Sequence, residues 1–212
     1  KKCLLLYCYY MTDKLNFLKT HFYLTFILAF ISLVYLEGCS KYSEEVQTNL
    51  TKLKTTKSCQ GCDLTGIELV GFDLKNVDLS GSNLTGANLS RVDLTEANLT
   101  NANLTDANLV MSILTGAKLV NTNLSRVKLS YANLSGVDIS DSLLVDASMN
   151  SSKILNSKIS NTNMIGANLH SANLTGTKVS EETLKDAVLC KTIMPSGQTE
   201  NRSCRSAVWK TK

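Results

Sequence analysis

An apolar residue recurs at every fifth position from Leu64 to Leu189 without a single slip, and this period limits what the chain can fold into. The series holds 26 positions, of which 20 are Leu and the rest are Ile139, Met149, Ile154, Ile159, Met164 and Val179. On an α-helix a step of five advances about 500°, so the series would scatter around the cylinder. On a straight strand an odd step sends successive members to opposite faces. A chain that turns a corner every five residues points all of them inward.

A second series, two residues earlier, fits the same interior. It is small almost throughout, with Ala87, Val92, Ala97, Ala102 and Ala107, and Ser82, Ser112, Thr122 and Ser142 among them. The residue between the two series is usually polar, with ten Asn and five Asp in the 26 repeats. The two residues after each Leu are rich in Thr, Ser, Gly, Asn and Asp, which suit corners. Coils stacked about 4.8 Å apart would pair their backbones. Proline would break that ladder, and the chain has one Pro in 212 residues. The pattern predicts an all-β fold, a β-solenoid.

The repeats Ala87-Asn-Leu-Ser-Arg, Ala97-Asn-Leu-Thr-Asn, Ala102-Asn-Leu-Thr-Asp, Ala167-Asn-Leu-His-Ser and Ala172-Asn-Leu-Thr-Gly resemble the A(D/N)LXX motif of pentapeptide-repeat proteins. The resemblance covers Cys62 to about Lys191. It implies a right-handed quadrilateral β-helix with four pentapeptides per coil, hence a rod about 31 Å long at ~4.8 Å per coil. The pattern weakens late, where Ser152-Lys-Ile and Ser157-Lys-Ile lose Asn and Glu182 takes a small inward place. A cap is expected from near Glu181, with a short helix through Leu189. The domain reading is therefore a leader over 1–38, a polar tether over 39–58, the solenoid over 59–190 and a C-terminal cap or tail over 191–212.

Four cysteines mark the solenoid's ends. Cys59 and Cys62 fall in the two inward registers of the first coil, as a structural plug, free or disulfide-bonded. Cys190 and Cys204 can close a loop of about 14 residues, a bridge worth ~3 kcal/mol. The CxxC start and the cysteine-bearing tail are similar to exported pentapeptide-repeat proteins of cyanobacteria, including thylakoid-lumen ones. A zinc site would need all four thiols, and the rod holds the pairs apart. A thiol–disulfide centre built on Cys59 and Cys62 stands as an alternative function, although the helix N-terminus beside a sheet that activates such thiols is missing from this context.

The formal charge of +4 is unevenly placed. Cys59 to Cys190 carries nine basic and 13 acidic residues, while the segments on either side are basic. An acidic middle does not favour phosphate contacts, so nucleic acid is not an expected partner. Some members of the family that this chain resembles mimic DNA and bind gyrase, which requires an acidic groove along the rod. Here residues 59–110 hold two basic and seven acidic residues, but 111–190 hold seven and six. Residues 20 apart should stack, so Asp78, Asn98, Lys118, Asp138, Lys158 and Lys178 form one line of mixed sign. Among outward apolar residues, Leu143, Val145 and Ile165 share a face and form a candidate contact patch. His170 points outward alone. No catalytic residue, metal site or cofactor is expected, and the chain reads as a non-enzyme.

The N-terminal segment reads as an export signal. Met11 opens a credible start, and Lys14, Lys19 and His21 precede the uncharged run Phe22 to Leu36. Its 15 residues make a helix of about 22 Å, short of the ~30 Å hydrocarbon core, as in a secretory signal peptide. Leu36-Glu37-Gly38-Cys39 resembles a lipobox with Cys39 as the lipidated residue, although Glu37 departs from the pattern. Cleavage nearby and an uncleaved anchor from Leu15 to Leu36 stay open beside it. The expected function is an exported structural or protein-interaction module in a periplasm or thylakoid lumen, tethered to the membrane if the segment is lipidated or retained. Its partner is another protein or a second copy.

Overall fold

The computed structural model describes residues 41–204, so the leader and Cys39 lie outside the described residues. From Ser58 onward the chain is a solenoid of parallel bridges between residues 20 apart, beginning with Ser58↔Asp78 and ending with Asn173↔Ile193. Four pentapeptides therefore complete one coil. On each face three backbone bonds join neighbouring coils. Leu109 donates to the Lys128 carbonyl at 2.7 Å, Asn108 to Ala87 at 2.8 Å and Met111 to Ser130 at 3.0 Å.

From Gly61 to Gly176 each corner is a tight turn whose third residue has positive φ. Around Leu109 the Ser112 N–H closes the turn on the Leu109 carbonyl at 3.1 Å, with Met111 at φ 59°. This is type II geometry, which favours Gly or Asn at that place. The polar series before each Leu supports the corner from outside. Asn103 Oδ1 accepts from both the N–H and the hydroxyl of Thr105, at 3.1 and 2.6 Å. The Asn-x-Thr pattern is thus a hydrogen-bonded brace, repeated from coil to coil.

The interior is filled by the Leu series, fully buried from Leu79 to Leu134, with the small series beside it. Buried hydroxyls in the small series serve two arrangements. At Ser82, Ser112 and Ser152 the hydroxyl donates to the carbonyl three residues back, within its own corner. At Thr122, Ser142, Ser157 and Thr162 it donates to a carbonyl 23 residues back, one coil away.

Residues 39–58 are not a tether throughout: helix α1 occupies Glu44–Thr56. Val46, Leu50 and Leu53 are spaced four and three apart, which aligns them on one face, and they pack against the first coil. Ser43 caps the N-terminus by accepting from Val46 N–H, and Lys57 ends the helix in a left-handed conformation at φ 50°. Asn49 Nδ2 donates to the Asp63 carbonyl at 3.0 Å, and Tyr42 Oη accepts from Glu68 N–H at 3.0 Å. These bonds cover backbone groups that an open solenoid edge would leave bare. The short polar stretch hid an amphipathic cap because only three apolar residues define it.

The other end also differs from expectation. Helix α2 is only Glu181–Leu184 and does not run to Leu189. It lifts Glu182 outward, where the side chain is exposed and paired with Lys185. The coil then resumes through Ile193, because the Leu189 register still fits the interior. Strand β1 (Thr192–Ile193) pairs antiparallel with β2 (Thr199–Glu200). The sole proline, Pro195, lies in the connecting turn, and its carbonyl accepts from Gly176 N–H at 3.0 Å.

Candidate interaction surfaces and closed ends

Both cysteine pairs are bonded. Cys59 and Cys62 are joined with a Cα–Cα distance of 5.4 Å, and Cys190 and Cys204 with 4.7 Å. The first bridge is buried beneath α1, with Cys59 at 0% and Cys62 at 6% exposure. Lys52 Nζ lies 4.0 Å from Cys62 Sγ. The second bridge ties the segment after β2 to the last coil, where Leu189 and Ser203 exchange hydrogen bonds at 3.0 and 3.2 Å. The two bridges sit at opposite ends, so they do not make a four-thiol site. Among the described residues no group of three or more His, Cys, Asp or Glu is arranged to hold a metal.

The faces are polar and largely self-satisfied. Asp78, Asn98, Lys118, Asp138, Lys158 and Lys178 stack by consecutive bridges, as the 20-residue rule requires. Within that line Lys158 pairs with Asp138 at 3.3 Å. Partial burial alone would raise the Asp138 carboxyl, but hydrogen bonds from Ser140 and the Lys158 ammonium hold it below the ordinary aspartate value. Asp93 is held down in the same way by Thr95 and Lys75, against its own desolvation. Asp78 is lowered chiefly by the Gln60 side-chain amide. Asp106 is lowered chiefly by hydrogen bonds from Arg126, whose Nε and guanidinium reach its two oxygens at 2.7 Å each.

Leu143 and Ile165 are exposed on a shared face, at 44% and 54%, with half-buried Val145 in the coil of Leu143 and one coil from Ile165. Sequence reading missed a second set. Met111 and Tyr131 occupy corner positions and are exposed at 49% and 62%. Val70, Phe72 and Ile113 flank the same edge. The signal was present, since Met and Tyr stand where this repeat otherwise places Gly, Asn, Asp or other polar residues. A small pocket of about 200 Å³ opens beside Phe72, floored by Leu53, Leu69 and Leu74, with Lys54 over the ring at 5.6 Å.

The Pentapeptide repeats profile matches this chain in eight copies, over residues 58–95, 73–110, 114–146 and 147–181, together more than half its length. The chain belongs to the pentapeptide-repeat family. Among solved structures it is similar to a pentapeptide repeat protein from Nostoc Pcc 7120, at 30% identity and TM-score 0.42 over 45% of this chain and 79% of that one. A pentapeptide repeat protein from the Arabidopsis thaliana thylakoid lumen matches at 19% identity and TM-score 0.30, over 69% and 80% of the two chains. Full-length QnrB1, a plasmid-mediated fluoroquinolone resistance protein, matches at 18% identity and TM-score 0.31, over 70% and 82%. A search of curated proteins returns no match. No helix among the described residues is long and apolar enough to cross a membrane.

Proposed function

We propose that this pentapeptide-repeat protein is an exported, non-enzymatic module that offers the flat faces of a rigid solenoid to a protein partner. The observation that carries this is the filled interior. With the Leu series buried apart from the half-buried Val179, recognition falls to the outward faces, edges and shallow grooves. Two disulfides, one at each end, support an oxidising compartment such as a periplasm or thylakoid lumen. The apolar run before Cys39 supports export to one.

The alternatives draw less support. Gyrase binding by DNA mimicry needs a continuous acidic stripe, whereas Lys118, Lys158 and Lys178 interrupt the stacked line. A gyrase supercoiling assay with and without the protein tests it directly. Thiol–disulfide exchange needs an accessible sulfur, and the Cys59–Cys62 bridge lies under α1.

Intact mass of the mature protein from its native host tests the export reading. A lipid-modified species beginning at Cys39, or an unmodified cleaved chain, is the expected result. A soluble chain that keeps residues 11–38 in the cytoplasm overturns it.

A further inference from the structure

We propose that the groove beside α2, on the open side of the solenoid's C-terminal end, is the seat of the chain's own segment 205–212, with Trp209 held in it. This goes beyond the partner reading and does not depend on it.

The first observation is a missing rung in the ladder. On the face of Leu143 and Asn163 each coil bonds to the next, Leu124 N–H to the Leu143 carbonyl and Leu144 N–H to the Asn163 carbonyl, at 2.7 Å each. At the corner before it Asn121 N–H donates to Ser140 and Asp141 N–H to Ser160, at 2.9 Å each. Both columns then stop, because α2 stands where the next coil would run. The Asn161 and Met164 N–H groups meet no backbone carbonyl among the described residues. The gap is a groove of about 690 Å³, lined by residues 159–163 on one side and by Val179, Glu182 and Thr183 on the other. Val179 is the one member of the inward five-residue series that is not buried, and it opens onto this groove. An open rung beside an apolar floor accepts an extended strand, whose carbonyls satisfy the donors and whose side chains fill the floor.

The second observation is which strand is at hand. After Pro195 the chain retraces the last coil toward α2. Ile193 pairs with Thr199 and Thr192 with Glu200, Lys191 N–H donates to Asn201 Oδ1, and Leu189 bonds Ser203. Arg202 then touches α2 itself, its guanidinium donating to the Leu184 carbonyl. Cys204, fixed to Cys190, therefore sets the start of segment 205–212 near the helix that walls the groove. Residues 205–209 extend up to about 17 Å, at ~3.4 Å each. The segment reads Arg205-Ser-Ala-Val208-Trp209-Lys210-Thr-Lys212. Its Val and Trp favour a strand, and it carries three cations and no acid. The acids beside the groove match it. Glu182 is engaged by Lys185, but Glu181 and Asp186 are exposed and enter no ion pair among the described residues. Lys178 is the one cation in the lining.

Trp209 is the sole Trp of the chain, so fluorescence of the full chain reads its surroundings directly. Its emission should be blue-shifted, and acrylamide should quench it severalfold less than in the urea-unfolded chain. Val179→Lys and Glu181→Lys should each return quenching most of the way to the unfolded value, while circular dichroism shows an intact solenoid. Glu181 is exposed, so its variant keeps the test available if Val179→Lys fails to fold. Hydrogen exchange gives the second reading. In a chain stopped after Cys204 the Asn161 and Met164 amides should exchange at least about tenfold faster than in the full chain. A Trp209 as accessible in the folded chain as in the unfolded one overturns the proposal. So does equal exchange of the two amides in both chains. A protected Trp209 indifferent to both substitutions places the ring elsewhere and also overturns it. Protection lost on dilution assigns the groove to the segment of a second copy, which overturns it as well.

Discussion

Ser142→Ala separates the consensus of the repeat from the physics of this particular corner. Ala is the commonest residue in the inward small register, so repeat logic predicts that the change is neutral or stabilising. The structure predicts the opposite. Ser142 is 1% exposed, donates to the Leu119 carbonyl at 2.6 Å and accepts from Thr122 N–H at 3.0 Å. Neither corner there is closed by the usual backbone bond, and the hydroxyl bonds both groups instead. Removing it orphans a buried donor and a buried acceptor, at about 1–3 kcal/mol each. The expected loss is about 3 kcal/mol, or roughly 6–12 °C in Tm for a domain of this size. Ser112→Ala is the control, because the Leu109 carbonyl keeps the Ser112 backbone N–H at 3.1 Å. That variant should lose about 1 kcal/mol or less. Urea unfolding followed by circular dichroism reads both midpoints. If the two variants lose equally, or Ser142→Ala loses under about 0.5 kcal/mol, the corner has relaxed to the ordinary turn and the hydroxyl is dispensable.

Three further outcomes are expected. Asp138, Asp93 and Asp78 are lowered in the folded state, so their stabilisation is complete above the unfolded aspartate value and is lost as pH falls through the folded one. Unfolding midpoints should therefore decline below about pH 4, and Asp138→Asn should flatten that decline. Reduction, or Cys204→Ser, should cost about 3 kcal/mol for a loop of this size, with hydrogen exchange rising first around Leu189 and Ser203. Equal protection in both redox states would show that the hairpin holds itself. Leu53→Ala, at a fully buried contact of α1, should cost about 2–4 kcal/mol and expose the N–H groups of the first coil to exchange. Unchanged exchange at Glu68 would mean that α1 is not the cover of that edge.

The five-residue period determined the solenoid by itself, because no helix or straight strand can bury such a series on one side. The four pentapeptides per coil that bring Asp138 to Lys158 came from the family resemblance, since the period alone does not fix the number of corners. The sequence alone placed Cys59 and Cys62 inward for the same reason of register. What it did not disclose is where periodicity stops. Helix α1 rests on three apolar residues in a polar stretch, too few to stand out until the bare first coil is there to receive them. The hydroxyls at Ser112 and Ser142 occupy the same register and look equivalent in the repeat. Only the tertiary structure distinguishes them, because it alone decides whether a carbonyl is already satisfied within its own corner or must reach across a coil. Likewise Met111 and Tyr131 are ordinary letters in variable places until stacking sets them on one edge, in left-handed turns, facing outward.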